Sequence, residues 1–133
     1  NRSAEAEVVP AAEHLGLGIL PWSPLGRGVL TGKYRSGTPA DSRAASPHFS
    51  SFVGAYLTEQ HARVVEAVAR AADGLSWSPV EVALSWVRDR PGVVAQIVGA
   101  RTAAQLRGAL TAEECVLPAE IVAALEDVSA PAG

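Results

Sequence analysis

The sequence predicts an α/β fold in which parallel strands are joined by helical crossovers, and two observations carry that reading. Two short apolar runs, Gly18 to Trp22 and Val93 to Val98, have the length and composition of buried parallel strands. Helical patterns stand before, between and after them, in the order helix, strand, long loop, two helices, strand, helix, helix.

Residues from about Glu7 to Leu15 read as a helix with Pro10 in its first turn, where a missing N–H costs little, and Gly16 as its stop. The first apolar run then leads into Ser23-Pro24-Leu25-Gly26-Arg27-Gly28, a turn-rich segment. Positions 31–57 are rich in Gly, Ser, Pro, Asp and Arg without sustained periodicity, and are expected to form a long functional loop. A helix resumes at Thr58, its expected N-cap, with Val64, Val65, Val68 and Ala72 on one apolar face and Gly74 as its end. Ser78-Pro79-Val80-Glu81 has the spacing of a capping box with Pro at the first helical position, followed by Val80, Ala83, Leu84 and Val87 at i, i+3, i+4 and i+7. Pro91-Gly92 closes that helix. The second apolar run, interrupted only by Gln96, meets Gly99-Ala100-Arg101-Thr102, where Thr102 and Gln105 again have capping-box spacing. A last helix is expected from Pro118, burying Ile121, Val122, Leu125 and Val128.

Composition narrows the function classes. Apolar residues make up 48% and charged residues 19% of the 133, enough to bury a core. A formal net charge of -3 with no basic run argues against a nucleic-acid partner, which needs clustered Lys and Arg. No apolar stretch approaches the length of a membrane span, and the first residues do not resemble a signal peptide. Cys115 is the single cysteine, so no intrachain disulfide can form and no metal site is expected; a cytoplasmic location fits best. With no Met anywhere, the chain is expected to begin inside a longer coding sequence.

Chemistry is expected where a strand ends in a Gly-containing turn. At Trp22-Ser23-Pro24-Leu25-Gly26-Arg27-Gly28, backbone N–H groups helped by Gly26 and Gly28 can approach a pyrophosphate, with Arg27 adding charge. The same residues also suit a plain tight turn with Trp22 as a core aromatic. At Ile97-Val98-Gly99-Ala100-Arg101-Thr102, a helix N-terminus and a guanidinium together suit a phosphomonoester. Arg101 as a solvated surface residue, with Thr102 an ordinary cap and Gln105 its partner, is the competing reading. Lys33, Tyr34, Asp41 and His48 include the residue types of an acid/base reductase, but nearness within a loop is no geometry, and no catalytic role is assigned to them. His14 and His61 read as surface residues, and Cys115 as a small packing residue rather than a nucleophile.

The string Gly16-Leu17-Gly18-Ile19-Leu20-Pro21-Trp22-Ser23-Pro24-Leu25-Gly26-Arg27-Gly28-Val29-Leu30-Thr31-Gly32-Lys33-Tyr34 resembles the seventh strand and following turn of aldo/keto reductases. Ser78-Pro79 through Val87, Pro91-Gly92-Val93, and Ile97-Val98-Gly99-Ala100-Arg101-Thr102 through Leu110 resemble that family's penultimate helix, eighth strand and following helix. The resemblance covers nearly the whole chain. It implies a partial (β/α)8 barrel, the last two β/α units with a preceding and a C-terminal helix, in a chain well short of the roughly 250 residues of a complete barrel. It further implies one unit over 1–133, with 31–57 a long loop on the active-site face.

By the same resemblance the intact protein would reduce aldehydes or ketones with NADPH. Trp22 would lie near the nicotinamide, Ser23, Leu25 and Gly28 along the pyrophosphate, Gly99 and Arg101 at the adenosine 2′-phosphate, and Gln105 at the adenine ribose end, with Pro24 also among the cofactor-binding residues. The chain departs from the family where Gly108-Ala109 replaces an acidic residue followed by Asn, and where Gln96 replaces a common Pro. The family's catalytic Asp, Tyr, Lys and His come from earlier strands, so no catalytic residue is carried over and the isolated chain is expected to be inactive. The expected partner is a small carbonyl substrate, with self-association through open sheet edges. The competing functions are an NADP(H)-binding accessory subunit without turnover, as in the redox-sensing members that accompany membrane channels, and an inactive truncated product.

Overall fold

A computed structural model describes residues 1–131. Its helices are α1 (Val8–His14), α2 (Ser50–Gly54), α3 (Glu59–Leu75), α4 (Pro79–Arg88), α5 (Ala103–Leu110) and α6 (Ala119–Val128). Short 3₁₀ turns lie at Ser3–Glu5, Gly26–Thr31, Arg43–Ala45 and Thr111–Glu114.

Helix starts follow the local sequence closely. The Thr58 hydroxyl accepts from the His61 N–H at 3.3 Å and opens α3. At α4 the capping box is complete: Ser78 Oγ accepts from the Glu81 N–H at 3.2 Å and the Glu81 carboxylate accepts from the Ser78 N–H at 2.6 Å, with Pro79 at the first helical position. The end of α3 differs from expectation. The helix runs through Gly74, and Ser76 takes the left-handed conformation at φ 57°. The Trp77 N–H then bonds back to the Ala72 carbonyl at 2.9 Å, so a Schellman-type closure two residues beyond the glycine wins.

Helices α3, α4 and α6 enclose the main core, where Val68, Ala72, Val82, Ala83, Leu117 and Leu125 are buried against one another. Leu84 on the other side of α4 packs with Ala109 and Ala112 and so fixes α5. A smaller cluster of Val29, Val53 and Val65 pins the long loop onto α3. The N-terminal residues close onto this layer through Arg2, which donates to the Glu126 carbonyl at 3.0 Å, while Arg90 stacks 4.4 Å from the Trp86 ring and pairs with Glu126. Cys115 is buried, and burial pushes its thiol pKa up, as suits a packing residue.

The two apolar runs pair in parallel, but through two bridges, Ile19 with Val93 and Trp22 with Ile97, rather than the expected continuous strands. Three hydrogen bonds hold them: Ile19 N–H to Gly92 O at 2.8 Å, Val94 N–H to Ile19 O at 3.1 Å, and Ile97 N–H to Pro21 O at 3.0 Å. Two features break the ladder. Pro21 has no N–H to donate, and between the bridges the first run advances three residues while the second advances four, leaving one residue extra as in a bulge. Gln96 lies in that stretch and donates to the Leu84 carbonyl at 3.1 Å, tying the segment to α4. At Gly18 a Cβ would meet the Val94 side chain at 2.7 Å, so the close approach of the runs requires glycine there. Within the long loop expected at 31–57, Arg43–Ala45 forms a 3₁₀ turn and Ser50–Gly54 forms α2.

Candidate functional site

The parallel register sets the site. Because Trp22 is bridged to Ile97, the chain leaves both runs at the same end, and the turns beginning at Ser23 and Gly99 stand side by side. The strand-turn pattern of the sequence puts both turns after parallel strands, and the fold stands them at one end.

The first turn is tightly wound. Gly26 N–H bonds to Ser23 O at 2.8 Å and Gly28 N–H to Leu25 O at 3.0 Å. Those two N–H groups are therefore engaged within the turn. The Leu25 N–H and the Ser23 hydroxyl make no hydrogen bond among the described residues. Pro24 between them has no N–H. Ser23 and Arg27 hold left-handed conformations at φ 51° and 60°, strained for residues with a Cβ, as is common where a backbone is shaped around a ligand. At Gly28, with φ +91°, a Cβ would lie 3.1 Å from the Lys33 ammonium, so a cation stands beside the turn. The place of Lys33 beside Gly28 has no signal in the sequence, where Lys33 stands out only as an acid/base residue type.

Arg27 does not reach outward as free charge. Its guanidinium stacks 3.4 Å from the Phe52 ring centre, with Tyr56 at 4.8 Å and Trp22 at 5.7 Å, and it donates to the Phe52 carbonyl. It thereby ties α2 to the turn. Trp22 itself is 64% exposed.

The second turn is open. Gly99 and Arg101 are exposed, and a Cβ added at Gly99 would meet nothing within 4 Å. Thr102 caps α5 by accepting from the Gln105 N–H at 3.1 Å. Gln105 Oε1 accepts from the Arg101 N–H at 2.8 Å, one residue before the position a capping box would use, and so steadies the backbone that carries Arg101. The Ala103 and Ala104 N–H groups lie in the first turn of α5, where no intrahelical carbonyl can satisfy them. The Arg101 side chain has no ion pair or hydrogen bond among the described residues. It lines an open groove together with Asp41, Ser42, Arg43, Phe49 and Phe52 of the long loop.

The Tyr34 hydroxyl accepts from the Ala44 N–H at 3.4 Å, and the tyrosine packs against the Val29, Val53 and Val65 cluster. His14 is exposed, and His61 Nδ1 lies 2.9 Å from the Thr58 hydroxyl. Among the described residues, no group of three His, Cys, Asp or Glu side chains is placed to hold a metal, and no helix is long and apolar enough to cross a membrane.

Comparison with known proteins shows the family. Residues 1–130 match the model of the aldo/keto reductase family. The chain is 39% identical over 130 residues to the uncharacterized oxidoreductase YrpG of Bacillus subtilis, covering 96% of this chain and 36% of that protein. It is 34% identical over 129 residues to protein tas of Escherichia coli, covering 96% and 36%. It is 33% identical over 113 residues to a probable voltage-gated potassium channel subunit beta of Arabidopsis thaliana, covering 84% and 34%. The chain thus spans about a third of the length of these relatives. On the match over residues 1–130, the chain belongs to the aldo/keto reductase family.

Proposed function

We propose that this chain supplies the NADP(H)-holding end of a β/α barrel oxidoreductase that reduces aldehydes or ketones, and that the proton donor for that reaction comes from outside these 133 residues. The observation that carries the reading is the Trp22–Ile97 bridge, which puts the two ligand-compatible turns at one edge. The available donors fit a dinucleotide phosphate. Leu25 N–H and Ser23 Oγ would face the pyrophosphate, with the Lys33 ammonium beside Gly28. The exposed Trp22 indole offers a flat apolar face for the nicotinamide ring. Arg101 and the α5 N-terminus would hold the 2′-phosphate through charge-assisted hydrogen bonds and the helix dipole. Gln105 then acts mainly by fixing the Arg101 backbone. When bound, the cofactor supplies the hydride; the residues here bind and orient it. A carbonyl also needs a proton as it is reduced, and no side chain near the two turns is held at hydrogen-bond reach of another acid/base group to provide it.

A direct test compares NADPH and NADH titrations of the chain and of Arg101→Ala. Hydrogen bonds to a charged group contribute about 1.5–3 kcal/mol, so the variant should lose roughly ten- to a hundredfold in NADPH affinity and little for NADH. Equal losses for both cofactors would remove Arg101 from phosphate recognition. A second reading, an NADP(H)-binding accessory subunit without turnover, is favoured by the similarity to the protein named a channel subunit beta. Aldehyde-dependent NADPH oxidation by the chain co-expressed with the N-terminal part of a related barrel separates the two.

A further inference from the structure

The Trp22 backbone is fixed by its bridge to Ile97, but its indole is exposed and belongs to none of the three buried clusters. An indole in that position can turn about two side-chain torsions, and holding a flat ligand against it costs the freedom of both. We propose that Arg27 is a positioning residue that couples the Trp22 indole to α2, so that the ring face offered to the nicotinamide is set by the long loop as well as by the end of the first run. This rests on the reading of Trp22 as the nicotinamide face.

The coupling is a cation shared by three rings. The Arg27 guanidinium lies 3.4 Å from the Phe52 ring centre, 4.8 Å from that of Tyr56 and 5.7 Å from that of Trp22, all within cation–π reach. Phe52 belongs to α2 and Tyr56 follows it closely, whereas Trp22 ends the first run, so one side chain touches both parts of the chain. Arg27 is itself held in place. It donates to the Phe52 carbonyl, its Nε is buried without a hydrogen-bond partner, and it has no ion pair among the described residues. An arginine free to swing into solvent would satisfy Nε there, so the rings and the one carbonyl outweigh that lost hydrogen bond. Its backbone sits at φ 60°, a strain that persists only where the surroundings enforce it. A planar guanidinium can stack on Phe52 and still reach a second ring, which the point charge of a lysine does less well. A shift of α2 therefore moves the cation that restrains the indole.

The test titrates the full chain and its Arg27→Met, Arg27→Lys, Phe52→Leu and Trp22→Ala variants with NADPH and with 2′-phospho-ADP-ribose, which lacks the nicotinamide; circular dichroism checks folding. Arg27→Met should weaken NADPH about threefold and leave 2′-phospho-ADP-ribose nearly unchanged, with part of the loss recovered in Arg27→Lys. Phe52→Leu, which leaves the turn and the indole untouched, should give a smaller loss of the same kind. Hydrogen exchange in a peptide covering 50–56 should slow more with NADPH than with 2′-phospho-ADP-ribose in the parent chain, and equally with both in Arg27→Met. If Arg27→Met weakens both ligands alike, or neither, while Trp22→Ala weakens NADPH selectively, this inference fails and the cofactor reading stands. If the parent chain binds the two ligands alike, or binds neither, the reading of Trp22 fails with it.

Discussion

Helices α3, α4 and α6 bury Val68, Ala72, Val82 and Leu125 among themselves, whereas the paired runs at 18–22 and 93–98 leave Leu20 at 54%, Val94 at 68% and Ile97 at 55% exposure. The helical layer is closed by local devices: caps, a left-handed stop and i, i+3, i+4 apolar faces. The extended pair has none of these. Each run forms one paired edge and turns an apolar face to solvent, an arrangement that in a barrel would be covered by neighbouring strands and inward-facing side chains. Stability therefore resides in the helices, while the two turns proposed to hold the cofactor follow the part with least support of its own.

The largest effect should come from breaking the supported side. Leu84 is 2% exposed between α4 and α5, and Leu84→Ala should cost about 2–5 kcal/mol through lost burial and a residual cavity. On the exposed pair, Leu20→Ser should change stability by no more than about 0.5 kcal/mol and should reduce self-association. Urea unfolding and light scattering measure the two together, and a comparable destabilisation in both variants would mean that the helical layer is not the stabilising half.

The complete capping box at Ser78 sharpens the same contrast. Ser78→Ala should cost about 1 kcal/mol, because one N–H of the first turn of α4 loses its acceptor. A midpoint of unfolding unchanged from the parent chain would show that α4 is held by packing alone.

The smallest expected effect concerns the tie between the loop and α3. The Glu66 carboxyl is held below its usual range, first by hydrogen bonds from Arg35 and then from Arg70. Its folded pKa lies below the unfolded value, so the stabilisation is present above the ordinary carboxylate range and is lost as pH falls through the folded value. The pair is exposed, and Glu66→Gln should leave the unfolding midpoint almost unmoved while abolishing this weak acid dependence. An acid transition identical in parent and variant would assign it to other carboxylates.

What the sequence made legible follows the same division. Thr58, Ser78 with Glu81, and Gly16 act within one turn of chain, and the structure uses them where the pattern placed them. Helix α2 was hidden because its five residues are held from a distance, by Val53 in a cluster with Val29 and Val65 and by Arg27 on Phe52. Gly74 misled because a helix interior tolerates glycine when the following residues, Ser76 and Trp77, form the actual closure. Within the site, the pairing of the two turns was readable from the strand-turn pattern. The engagement of the Gly26 and Gly28 N–H groups, the place of Lys33 beside Gly28 and the inward stack of Arg27 were not, because they depend on how the turn winds and on what the loop lays against it.

Hydrogen exchange followed by mass spectrometry, on dilute chain with and without NADPH, tests the central claim most directly, since it reads both turns at once and needs no turnover. The account predicts slowed exchange in peptides covering 22–30 and 98–106, with a common dependence on NADPH concentration, and little change over α3, α4 and α6. Protection confined to one turn, or absent from both at saturating NADPH, would contradict a cofactor held between them.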